Sequence, residues 1–376
     1  MRVVSVQMRD FRTYARAEAG IGEGLTVVHG PNGAGKSNLL EALYFGCTAR
    51  SPRTRNDREL IRFGEQATRV TVRLLDGHDA HELTVGFGTL AAGGPSNTQP
   101  IKRMTADGAP VERLLDVEIR PLVSVFMPDR LELVKGPPAL RRAHLDQVVA
   151  AIWPLRADTR RQYSRVLAQR NALLGRIRSG RASDATLSTW DRELAVWALQ
   201  LQADRAGAVA LLAEPFAERA AQLGCAGELA LEYRPRSRTA AHDEFVAELR
   251  ERLPGDLERG FTGHGPHRDE LTIARDRREL RVYGSQGEQR LALLALLLAE
   301  RAVLAGERRR TPLMLLDDVM SELDAERREL LARELRTGGQ SVIATTDLAH
   351  VPGAMDASVA RLCISPGTIL QEAMAA

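Results

Sequence analysis

The stretch Gly30-Pro31-Asn32-Gly33-Ala34-Gly35-Lys36-Ser37 fits G-x-x-x-x-G-K-[ST], the pattern of a phosphate-binding loop. Glycines in such a loop allow a tight turn in which successive backbone N–H groups point at phosphate oxygens. We expect Lys36 to contact the β- and γ-phosphates of a nucleotide and Ser37 to offer its hydroxyl to Mg²⁺. The sequence therefore predicts a nucleotide site built from these eight residues and the adjoining Asn38.

The residues on either side of this loop support the prediction. Leu25–Val28 is a short apolar run typical of a buried strand, and residues 38–44 have the pattern of a helix. The N-terminus of a helix favours an anion, because its first N–H groups are unpaired and the helix dipole is positive there. The alternative is a plain glycine-rich turn between a strand and a helix, and the strand–loop–helix order favours the phosphate site.

The overall composition excludes several classes of protein. The chain has 376 residues, enough for two or three domains, and its net charge is only +3. Cys47, Cys225 and Cys363 are few and far apart, which argues against a disulfide framework and for a reducing compartment. The start lacks an apolar signal region, and the most apolar run, Leu291–Ala299, is too short to span a bilayer. We therefore expect a cytoplasmic protein with no membrane segment.

Strand patterns occur at both ends of the chain, whereas helical patterns dominate the middle. This predicts an α/β domain made of residues 1–135 and 255–376, with a helical domain at 136–254 inserted into it. A Gly/Ser/Pro-rich loop is expected at Ala91–Pro100. The predicted strands, in chain order, are Val3–Met8, Leu25–Val28, Val70–Leu74, Leu83–Phe87, Val123–Phe126, Leu313–Leu316, Ser341–Ala344, Arg361–Ile364 and Thr368–Leu370.

The helical region contains apolar stripes at helical spacing. One of them steps by three and four residues, as in a short coiled-coil seam, and we expect it to end at Asp204. We interpret these stripes as helix packing rather than as a cofactor site, although two tryptophans lie on the seam. The residues of the seam are Leu187, Trp190, Leu194, Trp197 and Leu201.

Positive charge is concentrated at the start of the helical region. Between Arg141 and Arg181 there are ten arginines and two acids, a local charge of +8, so the rest of the chain carries −5. The alternatives are a solvated helix face and contact with the phosphate backbone of a nucleic acid. Arg170 lies on an apolar stripe, which suggests a buried structural partner. The candidate DNA contacts are Arg141, Arg142, Arg160, Arg161 and Arg165.

Two acids follow the predicted strand Leu313–Leu316. In proteins with a phosphate-binding loop this pattern supplies the metal ligand, so we expect Asp317 to hold Mg²⁺ together with Ser37. Asp318 would polarise the attacking water as general base. Strands often end in Asp, so this pattern is weak alone and strong when it is paired with the loop.

Another pattern, Ser285-Gln286-Gly287-Glu288-Gln289, stands at the start of a long apolar helix. The simple interpretation is an N-cap in which Glu288 completes a capping box. The order of features is more informative: the loop, this S-x-G-x-Q pattern, the two acids, and then Ser321-Glu322-Leu323-Asp324. That order resembles the head of an ABC-type ATPase.

The chain resembles the RecF family of bacterial recombination mediators more closely still. The matching motifs are FRTY, GPNGAGKSNLLEALY, SPRTRNDRELIRFG, PDRLELVKGPPALRRAHLD, YSRVLAQRNALL, GPHRDEL, YGSQGEQRLALLALLLAE, LLDDVMSELDAERR and TTDL. The resemblance implies an SMC-like α/β ATPase head with mixed sheets and an inserted α-helical arm. It also implies ATP-dependent homodimerisation, weak DNA-stimulated ATP hydrolysis, nucleoid association, and work with RecO and RecR to load RecA at single-strand gaps.

The resemblance assigns further roles to individual residues. Ser285, Gly287 and Glu288 would contact the γ-phosphate of ATP that is held by the other protomer of a dimer. Asp324 would lie across the same interface, and Arg12 would reach the nucleotide. For His267 and Arg268 of GPHRDEL we expect only polar packing.

Three departures from the general ABC pattern are expected to slow hydrolysis. Asp318 stands where those ATPases usually have Glu, and Thr346 stands where we align their switch histidine. No Gln occurs between Val111 and Arg142, where the Q-loop glutamine is expected. These features suit a timed switch better than a motor.

Four other functions compete with this one. An SMC-like DNA clamp with another repair role shares most of the same features. A transporter ATPase subunit fits poorly with the arginine-rich insertion, and a metabolic kinase leaves SQGEQ and SELD without a role. A structural clamp with an inactive site conflicts with Lys36, Ser37, Asp317 and Asp318.

Overall fold

The computed structural model describes residues 1–88 and 101–372, so the loop predicted at Ala91–Pro100 lies outside the described residues. The chain forms two compact units. The first consists of Met1–Arg130 and Leu304–Ala376, and the second is Leu131–Val303. Among the described residues, no helix is both long enough and apolar enough to cross a membrane.

Strands and helices are numbered here in chain order. The strands are β1 (Arg2–Phe11), β2 (Tyr14–Gly20), β3 (Leu25–His29), β4 (Ala67–Asp76), β5 (Asp79–Gly88), β6 (Ile101–Ala106), β7 (Ala109–Pro110), β8 (Val123–Phe126), β9 (Leu229–Arg234), β10 (Glu270–Arg275), β11 (Arg278–Glu279), β12 (Leu313–Asp317), β13 (Ser341–Thr345), β14 (Ala360–Ser365) and β15 (Thr368–Glu372). The helices are α1 (Lys36–Thr48), α2 (Glu132–Lys135), α3 (Pro138–Ile152), α4 (Thr159–Arg178), α5 (Leu187–Gln222), α6 (His242–Glu251), α7 (Leu253–Arg259), α8 (Leu280–Tyr283), α9 (Gln286–Arg308) and α10 (Ala325–Thr337). All nine predicted strands are present.

The first unit contains two six-stranded sheets. One is antiparallel, in the order β2-β1-β4-β5-β6-β7, and its strands alternate buried and exposed residues because only one face is covered. The other has the order β15-β14-β3-β13-β12-β8 and is parallel except for the edge strand β15. Every residue of β12 and β13 is buried, as expected for central parallel strands.

Helix α1 lies between these two sheets. It contacts β1 and β4 of the first sheet and β12 and β13 of the second. Ten of its thirteen residues are buried, since it has sheet on both sides. Full burial of a leucine contributes roughly 1.5–3 kcal/mol, so Leu39, Leu40 and Leu43, each 0% exposed, anchor the start of this helix firmly. The loop that precedes α1 is therefore held at both ends by buried structure.

The second unit is mainly helical, as predicted. Helices α4, α5 and α6 pack around a core that includes Tyr163, Leu194 and Phe245. Asp204, where the seam was expected to end, lies within the long helix α5, which continues to Gln222, and the buried Asp204 carboxylate accepts a hydrogen bond from Arg156. The buried charged residues Asp204 and Arg205 interrupt the apolar stripe at this point, and buried apolar residues resume at Ala208 and Leu212.

A small antiparallel sheet, β11-β10-β9, also belongs to the second unit. β9 was not predicted and lies inside the segment expected to be the helical arm. It pairs along its length with β10, so the expected boundary between residues 254 and 255 falls between two hydrogen-bonded strands. For this reason the second unit extends well beyond the predicted arm.

Candidate nucleotide site

The phosphate-binding loop connects β3 to α1, as predicted. Lys36 is 7% exposed, and its Nζ donates to the carbonyl oxygens of Gly30 at 2.8 Å and Pro31 at 3.0 Å. Burial lowers the pKa of Lys36, and the negative charges of Asp318 and Asp317 oppose that shift. The ammonium is thus held in the loop within the electrostatic reach of both acids.

Two positions of the loop can only be glycine. Gly35 has a φ of 118°, and a side chain there would meet the hydroxyl of Tyr14, which donates to the Gly35 carbonyl oxygen at 3.0 Å. Gly30 has a φ of 149°, and a Cβ atom there would lie 2.3 Å from the carbonyl oxygen of Ile364 on β14. Pro31, Asn32 and Gly33 form the exposed part of the loop. The backbone in this part is accessible to a ligand.

The two predicted acids lie at the end of β12. Burial raises the pKa of Asp317, and a hydrogen bond with Ser37 and the charge of Arg53 oppose that effect. Asp318 adopts a left-handed backbone with a φ of 49°, and its N–H donates to the carbonyl oxygen of Ala344 at 3.0 Å. Non-glycine residues in this conformation are uncommon and often found at functional sites.

One carboxylate oxygen of Asp318 requires an explanation. Its Oδ1 is buried and has no hydrogen-bond partner among the described residues. A buried unpaired acceptor is costly, about 1–3 kcal/mol. Together with the Ser37 hydroxyl and the Asp317 carboxylate it makes an oxygen-only set of donors, which is the set that hard cations such as Mg²⁺ prefer. The residues present therefore fit a bound Mg²⁺ ion and its water.

The parallel sheet brings the predicted catalytic positions together. Strands β3, β13 and β12 are neighbours, so the residues that follow their carboxyl ends meet at one edge. The phosphate-binding loop follows β3, Thr346 follows β13 and Asp318 follows β12. Four predicted residues of the first unit, Lys36, Asp317, Asp318 and Thr346, thus share one site.

Arg12 and Asn38 have partners within the protein. The Arg12 guanidinium forms two 2.9 Å bonds to Glu41 of α1, whose side chain is fully buried. Arg53 donates to both Glu41 and the Asn38 side chain. The contact of Arg12 with a nucleotide stays a prediction. Arg53, which the sequence showed only as one arginine of a basic loop, is placed by the structure beside the site.

The S-x-G-x-Q segment belongs to the second unit and begins helix α9. Ser285 and Glu288 form the capping box that the sequence suggested: the Ser285 N–H donates to Glu288 at 2.7 Å, and the Glu288 N–H donates to Ser285 at 3.3 Å. Glu288 also pairs with Arg275. Ser285 and Gly287 are exposed. Asp324 caps α10 by accepting from the N–H of Arg327, and its side chain is exposed.

The five candidate DNA-contacting arginines differ in their surroundings. Arg141 is a correction: it is 4% exposed and its guanidinium bonds Glu270 and two backbone carbonyls, so a phosphate cannot reach it. Arg142 is half-buried and donates to the carbonyl oxygen of Asp269, and burial lowers its pKa. The remaining three are exposed, although each has a carboxylate within 4.0 Å: Arg160 with Asp146, Arg161 with Asp158 and Arg165 with Glu193.

The GPHRDEL segment has a clear structural role in the second unit. Asp269 is fully buried and accepts from Arg205, Tyr233 and the N–H of Arg236. The ring of His267 bonds the hydroxyl of Tyr163 at 2.6 Å and the carbonyl oxygen of Thr262 at 2.9 Å. The expectation of polar packing is therefore met by specific contacts between helices and the small sheet.

The fold, with the loop and the acids gathered at one edge of the parallel sheet, defines an SMC-like ATPase head. The model of the "RecF/RecN/SMC N terminal domain" family matches residues 2–360. The chain is 35% identical to "DNA replication and repair protein RecF" of Streptomyces avermitilis, covering 98% of this chain and 99% of that one. It is 38% identical to the protein so named in Myxococcus xanthus, covering 94% and 93%. This chain belongs to the RecF family of DNA replication and repair proteins.

Solved structures agree with this family. A structure described as "the recombination mediator protein RecF-ATP in RecFOR pathway" has a TM-score of 0.84 at 26% identity, covering 99% of this chain and 97% of that one. An SMC head bound to a winged-helix domain of ScpA has a TM-score of 0.59 at 16% identity, covering 100% and 98%. The second likeness supports the fold alone.

Proposed function

We propose that this chain is an ATP-dependent DNA-binding protein in which ATP drives two copies together and slow hydrolysis releases them. The observation that carries the proposal is the site at the edge of the parallel sheet, where the unpartnered Asp318 oxygen lies with Lys36, Ser37 and Asp317. The relative whose description names ATP supports the same ligand.

Each residue of the loop has a role in this proposal. Backbone N–H groups of residues 32–38 would hold the phosphates, since Pro31 has no N–H to donate, and Lys36 would neutralise charge on the β- and γ-phosphates. Ser37 and Asp317 would hold Mg²⁺, which neutralises charge that develops as the γ-phosphate is transferred. Asp318 accepts a proton from the attacking water. Its shorter side chain and the Thr346 hydroxyl in place of a histidine make hydrolysis slow.

The dimer completes the site. Ser285, Gly287 and Glu288 at the exposed start of α9 would contact the γ-phosphate held by the partner copy, because a helix N-terminus favours an anion. The exposed carboxylate of Asp324 lies in the same proposed interface. Val282 and Tyr283 precede Ser285 and are 61% and 66% exposed, which gives this surface the apolar area that an interface needs.

The biological role follows from the family. We propose binding to gapped DNA or to junctions between single-stranded and duplex DNA, with RecO and RecR as partners and loading of RecA as the result. The description of the relatives as recombination mediators of the RecFOR pathway supports this proposal.

Binding to gapped, single-stranded and duplex DNA, with and without ATP, tests the function. We expect gapped DNA to be bound most tightly, and only when ATP is present. Lys36→Ala is the matched variant, since it removes the nucleotide contact and leaves the DNA surface intact. ATP-independent binding by the wild-type protein, or equal binding by Lys36→Ala, would contradict the proposed switch.

A further inference from the structure

The exposed face of the antiparallel sheet carries a line of arginines. In the register of the sheet, Arg9 on β1 lies directly opposite Arg16 on β2 and Arg69 on β4. Arg69 lies opposite Gly86 on β5, which lies opposite Arg103 on β6. Residues directly opposite one another share a face of the sheet. Arg9, Arg16, Arg69 and Arg103 therefore form one row across five strands, called the arginine row below.

The charges of the arginine row are exposed and little neutralised. All four side chains are exposed, and Arg9 has its nearest acid, Asp10, 3.7 Å away. Within residues 1–88 and 101–372, no carboxylate lies within 4.0 Å of Arg16, Arg69 or Arg103. Like charges that face each other across strands destabilise a sheet. Among the described residues, most of the positive charge of the row is therefore not paired with an acid.

The residues beside the arginine row add hydrogen-bonding groups and little charge. The adjoining row on the same face contains one acid, and its carboxylate lies 3.7 Å from Arg73, further along the sheet. The members of this adjoining row are Glu18, Gln7, Thr71, Thr84 and Thr105. Amide and hydroxyl groups of this kind commonly contact phosphate and sugar in protein–DNA complexes.

The helical unit differs from this sheet. Its arginine-rich segment is strongly basic in sequence, but six of its ten arginines have a carboxylate within 4.0 Å. The pairs are Arg141 with Glu270, Arg156 with Asp204, Arg160 with Asp146, Arg161 with Asp158, Arg165 with Glu193, and Arg170 with Asp191 and Asp256. Asp146 and Asp158 are already counted in the local charge of +8, so the acids from other parts of the chain, Glu270, Asp204, Glu193, Asp191 and Asp256, offset part of that charge.

We propose that the arginine row binds the phosphate backbone of a nucleic acid, so that the antiparallel sheet is the main DNA-contacting surface of the proposed function. Neighbouring strands are ~4.8 Å apart, so four spacings make the row about 19 Å long. At ~3.4 Å per phosphate along one strand, that length faces about five phosphates. Guanidinium groups bind phosphate through paired hydrogen bonds. The row contains no aromatic residue on which a base could stack, so binding should depend on the charge of the backbone and not on the base sequence.

Salt dependence of DNA binding in the presence of ATP tests this proposal, with a short duplex and a single-stranded oligonucleotide as probes. The variant is Arg16→Gln/Arg69→Gln/Arg103→Gln, and the matched control is Arg160→Gln/Arg161→Gln/Arg165→Gln in the helical unit. Each lost phosphate contact reduces the slope of log K against log salt by about 0.9 for duplex and about 0.7 for single strands. We expect the sheet variant to lose about 2.7 and 2.1 respectively, and the control to lose less than one.

The outcomes separate this proposal from the proposed function. Absence of any DNA binding by the wild-type protein contradicts both. Wild-type binding with an unchanged slope in the sheet variant overturns only the arginine row. A larger loss in the control than in the sheet variant also overturns it. Because repulsion is removed, the sheet variant should unfold at the same or a higher temperature, which excludes misfolding as the cause.

Discussion

At the residue scale, Asp318 is the position where backbone and side chain are both unusual. Its φ of 49° turns the chain out of β12, and its buried Oδ1 has no partner among the described residues. Asp and Asn tolerate the left-handed conformation better than most residues. The conformation therefore permits an amide in place of the carboxylate, so charge can be removed here without changing the backbone.

Asp318→Asn should bind ATP and hydrolyse it about 10²–10⁴-fold more slowly, because an amide cannot act as general base. The ATP-bound dimer should accumulate. Phosphate release and sedimentation with ATP measure the two effects, and thermal unfolding serves as the control for an intact fold. Hydrolysis at the wild-type rate would exclude Asp318 as the base.

Arg170 is a second residue whose charge matters, in this case for the stability of the fold. It is fully buried and pairs with both Asp191 and Asp256. Arg170→Met should lower the free energy of unfolding by about 3–5 kcal/mol, since it leaves the buried Asp191 carboxylate without a cation and Asp256 with only the more exposed Arg259. Urea unfolding measures this. Arg161→Met removes an exposed pair and should change stability by roughly 0–1 kcal/mol; equal effects of the two variants would contradict the buried role of Arg170.

At the element scale, the GPHRDEL segment links stability to pH through His267. The Thr262 carbonyl oxygen can only accept, so Nε2 of the neutral ring donates to it and Nδ1 accepts from the hydroxyl of Tyr163. The pKa of His267 is lowered, first by burial and further by the charges of Arg268 and Arg142, while the Thr262 bond and Asp269 oppose this. The neutral ring is thus the form that the fold stabilises.

This predicts a loss of stability in mild acid. The unfolded imidazole titrates near pH 6.5, so the contribution of His267 is complete above about pH 6.5 and is lost as the pH falls toward the lower folded value. The stability advantage of wild type over His267→Gln should shrink between about pH 8 and 5. His242 serves as a control with the opposite pH dependence, because its hydrogen bond to Asp243 raises its pKa. An advantage independent of pH would refute the assignment.

Some strands could be predicted from their local sequence pattern, and others could not. The strands β8, β12 and β13 were predicted from apolar runs because buried parallel strands need few polar residues. β2 and β9 were missed, since the pattern of β2, Tyr-Ala-Arg-Ala-Glu-Ala-Gly, is dominated by small and charged residues and β9 follows a long helical region. Pairing with another strand, β1 for β2 and β10 for β9, and not the local pattern, fixes these two strands.

At the scale of the whole molecule, the nucleotide site was predictable because its residues follow a fixed chemical pattern. Asp317 and Asp318 follow Lys36 by some 280 positions in sequence, yet parallel strands bring them together. The pairing of charged residues and their distribution over the surface were less predictable from the sequence. Arg141 seemed free in sequence but is paired with Glu270, whereas Arg9, Arg16 and Arg69 become one surface only through sheet register. Counter-ions and neighbours are properties of the tertiary fold.

In the proposed function the ATP site is shared by two copies of the chain, and Ser285 is the residue that distinguishes it from a site within one copy. Ser285→Arg blocks the exposed start of α9, while Ser285→Ala removes only the helix cap, which costs about 0.5–2 kcal/mol. Sedimentation with and without ATP, beside equilibrium ATP binding, compares both with wild type. We expect ATP to induce dimers of the wild-type protein and of Ser285→Ala. Ser285→Arg should bind ATP but remain monomeric. ATP-dependent dimers of Ser285→Arg, or a wild-type protein that remains monomeric with ATP, would contradict the shared site.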